Sequence, residues 1–170
     1  MIHAKNIAGN PIKPAINAHL LDSYLEAITL VERLEKRLLE MIKDEFERRG
    51  RHDVNPVQAL LLYKVGDAQL RASELMSRGC YLGSNVSYNL KKLVDQGLVN
   101  QQNSRNDRRA VMVSLTPAGL EVAKTVEQLY ERQMASLEQL SGITAQDFTT
   151  IITAMKRLDR FWSDQIRYRM

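Results

Sequence analysis

The chain has 170 residues, 24 Lys and Arg against 20 Asp and Glu, three His and one Cys, for a formal charge of +4. This length suits one domain or two small interleaved ones and supports burial of ~70% of the unfolded surface. With 44% hydrophobic and 26% charged residues, disordered and fibrous chains are excluded. The lone cysteine excludes an internal disulfide framework. His3, His19, His52 and Cys80 lack metal-ligand spacing, so no metal is expected. No run reaches the ~18 apolar residues of a membrane span. The opening residues, MIHAKNIAGNPIKP, lack the apolar core of a secretory signal, so a cytoplasmic location without a membrane partner is expected.

Residues 1–16, with Pro11 and Pro14, predict a flexible N-terminal arm. Over 17–54, Leu21, Tyr24, Leu25, Ile28, Val31, Leu34, Leu38, Met41, Ile42 and Phe46 recur at three- and four-residue steps. That spacing predicts a helix of ~30 residues, about 45 Å long. Such a helix exceeds what one compact domain needs and points to docking against a second chain. Asn55 and Pro56 then supply an N-cap and a first-turn proline for a short apolar helix carrying Val57, Leu60, Leu61, Tyr63 and Val65, closed near Gly66. A helix of about two turns is predicted from Arg71 to Gly79, and a second from Ser84 to about Gln96, stopped by Gly97. Two short helices joined by a glycine-bearing turn make a helix-turn-helix candidate.

Beyond Gly97 the period changes to two. Residues 98–102 and 110–116, the latter alternating Val111, Val113 and Leu115 against Met112 and Ser114, predict a β-hairpin with a basic tip at 103–109. Thr116 and Pro117 open a long helix through Leu120, Ala123, Val126, Leu129, Tyr130, Met134, Leu137 and Leu140. Gly142 breaks it. A capping box at 144–147 starts the last helix, striped by Phe148, Ile151, Ile152, Met155, Leu158, Phe161, Trp162 and Ile166. The expected fold is mainly α with a small β-hairpin. It places a winged helix-turn-helix at 55–116 between long dimerisation helices at 17–54 and 117–170. Residues 67–110 hold seven basic and four acidic side chains, so the positive excess lies in the reading head.

On the second short helix, at 100° per residue, Val86, Leu90, Leu93 and Val94 gather on one side and Tyr88 falls opposite. Ser84, Asn85, Lys91 and Lys92 flank Tyr88. Hydroxyl, amide, phenol and ammonium groups on an outward face suit the major groove of double-stranded DNA, with the helix N-terminus deepest. Ser84, Asn85, Ser87, Tyr88 and Asn89 are therefore assigned to base edges or nearby phosphates, and Lys91 and Lys92 to phosphates. Ser73 on the preceding helix joins this set. On the hairpin tip, Arg105, Arg108 and Arg109 suit a narrow, electronegative minor groove. Asp107 stands two residues before Arg109, on the same strand face, where it can hold that guanidinium. The competing readings are an ordinary solvated amphipathic helix and a polar turn.

Residues 84–99, SNVSYNLKKLVDQGLV, followed by 106–119, NDRRAVMVSLTPAG, resemble the MarR family of bacterial transcriptional regulators. The shared pattern is a recognition helix ending in a glycine-hydrophobic step, a wing with Asp-x-Arg, and a strand leading into Leu-Thr-x-x-Gly. Arg71 departs from it, standing where a short polar cap is usual, and the turn at 79–83 is more apolar than the common serine-rich one. The resemblance implies a homodimer on a palindromic operator, with Asp107 orienting Arg109. It also implies a hydrophobic or aromatic small-molecule effector bound between dimer helices and reading heads. Tyr24, Ile28, Tyr63 and Met112 are candidate lining residues, with plain core positions as the alternative. Some members sense oxidants through cysteine, but Cys80 between Gly79 and Tyr81 reads better as a small buried apolar residue.

The expected function is thus a homodimeric, sequence-specific DNA-binding transcription regulator, a repressor released by its effector. The alternative is a winged-helix protein-interaction module that does not bind DNA, for which Lys91, Lys92 and three wing arginines serve little purpose. An enzyme is not expected, and no cofactor: nothing pairs a nucleophile with a base, and no glycine-rich phosphate loop occurs.

Overall fold

Helix boundaries in this chain follow from side chains that satisfy the free backbone groups of a helix end. Asn55 Oδ1 accepts the Gln58 N–H at 2.9 Å, and Gln58 Oε1 accepts the Asn55 N–H at 3.0 Å, closing a reciprocal capping box. Thr116 Oγ1 accepts the Gly119 N–H at 3.1 Å. Thr144 and Asp147 repeat the reciprocal arrangement, Asp147 Oδ2 taking the Thr144 N–H at 2.8 Å and Thr144 Oγ1 the Asp147 N–H at 3.2 Å. The computed structural model describes residues 17–77, 83–103 and 110–168. Its elements are α1 (Ala18–Arg48), α2 (Pro56–Val65), β1 (Leu70–Arg71), α3 (Ala72–Ser77), α4 (Gly83–Asp95), β2 (Val99–Asn103), β3 (Val111–Leu115), α5 (Pro117–Leu140) and α6 (Ala145–Tyr168). The expected N-terminal arm at 1–16 lies outside the described residues.

The chain divides into compact units at 1–41 and 42–170. Within the second, α2 is apolar on nearly every side, and Ala59, Leu60, Leu61, Leu62 and Val65 are all buried. It packs along α5, whose Val122, Val126 and Leu129 are also buried, and α3, α4 and the sheet close around it. Burial of a helix on all faces is what a continuous apolar run, rather than a stripe, requires.

The predicted hairpin is part of a three-stranded antiparallel sheet in the order β1-β3-β2. Val113 of β3 faces Gln101 on one side and Leu70 on the other, while Met112 lies between Gln102 and Arg71. The predicted helix from Arg71 to Gly79 is corrected accordingly: Leu70 and Arg71 form a strand, and the helix starts at Ala72. A two-residue strand is too short for any alternation to be read. It forms because β3 offers an open edge of backbone donors and acceptors there, and pairing buries Leu70 against the core.

Two close backbone arrangements position α4. Gly97, at φ +70°, ends the helix: the Leu98 N–H reaches the Leu93 carbonyl and the Gly97 N–H the Val94 carbonyl, each at 2.9 Å. The first turn of α5 then lies directly on this turn. Thr116 donates its N–H to the Leu98 carbonyl at 3.1 Å and its hydroxyl to the Gly97 carbonyl at 2.8 Å. A Cβ at Gly119 would stand 2.1 Å from the Leu98 carbonyl oxygen, so only glycine admits the contact.

A buried carboxylate joins the end of α1 to α5. Glu45, 4% exposed, accepts Arg132 Nη2 at 2.6 Å and Arg49 Nε at 2.8 Å, and also pairs with Arg48. Burial pushes its carboxyl up, but hydrogen bonds and charge from Arg132 and Arg49 outweigh this, and the net shift is below the ordinary value.

The apolar stripes of the long helices are another matter. None of the residues of α6 is buried, and Phe148, Ile151, Ile152, Met155, Phe161, Trp162 and Ile166 are exposed along it. In the unit at 1–41, taken by itself, Leu20, Leu21, Tyr24, Leu25, Leu30, Val31 and Leu34 are likewise exposed.

Two outcomes follow for stability. Gly119→Ala is expected to destabilise by about 2 kcal/mol net, the overpacking cost exceeding alanine's helix-propensity gain; an unchanged urea midpoint contradicts the close approach. Because Glu45 titrates lower in the folded than in the unfolded chain, its contribution is complete above about pH 4.5 and drains away as pH falls toward the folded value. Urea unfolding across this window is expected to show a shallower acid loss for Glu45→Gln than for the parent, and equal slopes contradict it.

Candidate nucleic-acid interface

The recognition surface begins with what α4 buries. Val86, Leu90 and Leu93 point into the core, Val94 is half-buried, and Asn85, Ser87, Tyr88, Lys91 and Lys92 are exposed. Tyr88 is 62% exposed, and Lys92, one turn on, places its Nζ 5.9 Å from the ring centroid. At that distance the ammonium is attracted to the ring face and limits the rotation of both side chains. The outward face thus presents a phenol, an amide, a hydroxyl and two ammonium groups on a helix held firmly from behind.

Asn89 departs from the predicted set. It is 8% exposed, and its amide donates to the Asn85 carbonyl at 2.9 Å within the same helix. The spacing explains this: Asn89 lies three residues after Val86 and four before Leu93, on the buried side of the wheel. Ser73 is exposed on α3. The side chain of Ser84, together with Cys80 and the tip residues Arg105, Asp107, Arg108 and Arg109, lies outside the described residues.

Three residues to which the sequence assigns no functional role brace the far end of α4. Gln96 donates through Nε2 to the Asp53 carbonyl oxygen at 2.6 Å. The Asp53 carboxylate in turn takes Arg51 Nε at 3.1 Å and Nη2 at 2.6 Å, and the hydrogen bond from Arg51 holds this carboxyl below its usual value. The loop between α1 and α2 is thereby tied to the end of the recognition helix. The only sequence signal was the i, i+2 spacing of Arg51 and Asp53.

On the sheet, Val99 and Val113 face the core, whereas Asn100, Gln101, Gln102 and Asn103 of β2 are exposed. Arg71, Met112 and Gln102 form one cross-strand row on the outer face, with Arg71 and Gln102 exposed and Met112 half-buried.

Of the candidate effector residues within the unit at 42–170, Tyr63 and Met112 do not share a groove. Tyr63 meets Tyr130 edge-to-face, centroids 5.3 Å apart at 83°. It borders a groove of about 400 Å³ lined also by Gly66, Asp67, Leu120, Ala123, Lys124 and Glu127. Met112 sits in the sheet row and does not line this groove. Tyr24, exposed, and Ile28, half-buried, belong to the unit at 1–41. Among the described residues no three His, Cys, Asp or Glu side chains gather as metal ligands, and no helix is long and apolar enough to cross a membrane.

Residues 54–119 match the family model of a winged helix DNA-binding domain. The exopolysaccharide II synthesis transcriptional activator ExpG of Rhizobium meliloti is 30% identical over 151 residues, covering 87% of this chain and 76% of that protein. Among solved structures, a mutant MarR from E. coli complexed with operator DNA is 20% identical, with a TM-score of 0.64 over 82% of this chain and 97% of that one. The transcriptional regulator SlyA is 14% identical, with a TM-score of 0.68 over 85% and 99%. FabT of Streptococcus pneumoniae in complex with DNA is 17% identical, with a TM-score of 0.60 over 83% and 98%. The structural likenesses carry the fold, and the ExpG relationship carries the kinship. With a winged helix whose recognition helix is built as described, this chain belongs to the MarR family of DNA-binding transcription regulators and is not an enzyme.

Proposed function

We propose that the protein acts in the cytoplasm as a homodimer on a palindromic operator, as a repressor released by a hydrophobic or aromatic small molecule. The observation that carries the DNA-reading part is the division of α4 into a buried aliphatic face and an outward face of Asn85, Ser87, Tyr88, Lys91 and Lys92. In the proposed complex, α4 enters a major groove with Ser84, Asn85, Ser87 and Tyr88 at base edges or adjacent phosphates. Lys91, Lys92 and Ser73 reach phosphates. Arg105, Arg108 and Arg109 enter the flanking minor groove, and Asp107 orients Arg109. Asn89 supports the helix from its inner side and makes no DNA contact.

Dimerisation is supported by the apolar stripes of α6 and of residues 18–41, each too long and continuous to stay in water on a monomeric protein. The long helices at 17–54 and 117–170 then serve as the dimer-forming parts and 55–116 as the reading head. Two heads ~34 Å apart match successive major grooves. For the effector, the groove beside Tyr63 is the better supported position, since its volume falls within the ~300–1,000 Å³ of small-molecule sites. A ligand preferring a mismatched head spacing lowers DNA affinity by population shift.

A second reading is favoured by one observation: the relative from Rhizobium meliloti is named an activator. Operator binding is common to both readings, and transcription in vitro with and without the protein separates them. The interaction-module alternative has no observation in its favour.

Selection of bound sequences from random duplexes is expected to return a palindrome with half-sites about 10 base pairs apart or a multiple of that, and light scattering a mass of two chains. No enriched sequence, or a single-chain mass at micromolar concentration, contradicts the proposal. On the selected operator, Tyr88→Ala and Arg109→Ala are each expected to weaken binding by ~1–3 kcal/mol at fixed salt. Unchanged affinity removes the residue concerned from the interface.

A further inference from the structure

Arg71 belongs to no predicted DNA-binding set and takes the place of a helix cap, yet the fold gives it a definite position. As the last residue of β1 it pairs with Met112, whose other neighbour in the sheet is Gln102. Leu70 before it is buried and Arg71 itself is exposed, so the guanidinium stands on the outer side of the sheet. No hydrogen bond or ion pair ties its side chain to another described residue. Its partner Met112 is three residues from Arg109, a length of chain reaching no more than about 10 Å. Arg71 and Gln102 therefore bracket the base of the wing.

We propose that Arg71 is a phosphate-binding residue, gripping the DNA backbone that walls the groove entered by the wing tip. The inference rests on the DNA-binding reading above. A minor groove is ~7.5 Å deep, within the ~10 Å that three residues of chain can span, so a tip lying in it is compatible with a wing base at the level of the flanking phosphates. A long, permanently charged, forked side chain at that level suits a phosphate. A phosphate contact fixes position and carries no sequence information, so Arg71 contributes equally on every duplex. It also gives a role to an arginine where a capping residue is usual: Arg71 directly precedes the first residue of α3, Ala72, and as an arginine its side chain has no acceptor with which to cap the helix.

The test is fluorescence anisotropy across a salt series, with the selected operator and a scrambled duplex of the same composition. Arg71→Gln is expected to weaken binding roughly tenfold on both duplexes, the size of one charge-assisted hydrogen bond. It is also expected to reduce the log-log salt slope by about 0.9 for each phosphate that the variant no longer neutralises. Arg71→Lys, which keeps the charge, is expected to restore most of the slope. The inference is overturned if Arg71→Gln keeps the parental slope, if the weakening occurs on the operator alone, or if Arg71→Lys and Arg71→Gln fail alike with a lowered thermal midpoint. If the parent protein binds neither duplex, the DNA-binding reading itself has failed, an outcome distinct from parental binding with an indifferent Arg71.

Discussion

The contact between the first turn of α5 and the Gly97–Leu98 turn holds the reading head together. Four constraints meet within a few residues: the glycine-ended helix α4, the start of β2, the Thr116 cap, and the bare Cα of Gly119 against the Leu98 carbonyl. Backbone meets backbone there, so neither side has a rotamer with which to accommodate an error. Both ends of the wing and the base of the recognition helix are referred to one rigid point. That rigidity is what sequence reading by a helix requires, because a groove-facing side chain displaced by an ångström loses its base-edge hydrogen bonds.

Around this joint the molecule distributes polar contacts sparingly. Gln96 and Asp53 secure the loop ahead of α2 to the end of α4, and Glu45 gathers arginines from α1 and α5. These ties connect the helix-turn-helix to the roots of the long helices within the unit at 42–170. A change at the base of α1 or along α5 therefore has a short route to the recognition helix, the kind of packed, hydrogen-bonded connection through which an effector can bias DNA affinity. The exposed stripes of α6 and of residues 18–41 state the complementary requirement: much apolar surface that a single chain leaves in water.

Legibility differed between elements for identifiable reasons. The starts of α2, α5 and α6 were readable because each carries a chemical signal: Asn55 with Pro56, Thr116 with Pro117, Thr144 with Asp147. The buried face of α4 was readable because Val86, Leu90 and Leu93 recur at helical spacing. Asn89 is polar, but its angular position beside Val86 and Leu93 turns it inward, so polarity alone points the wrong way there. The strand β1 was invisible: two residues have no period, and their conformation is imposed by the open edge of β3 some forty residues away.

From the amino acids alone came the order of helices and hairpin, the caps, the basic reading head and the amphipathic character of α4. All of these are local, fixed by interactions among residues within a turn or two of one another. Tertiary structure decided the third strand, the exposed place of Arg71, the turning inward of Asn89, the binding of Gln96 to Asp53, the arginine cluster on Glu45, and the absence of Met112 from the groove beside Tyr63. Each depends on which distant segments come into contact. Sequence spacing measures distance along the chain, and a backbone edge or a buried carboxylate finds its partner across space.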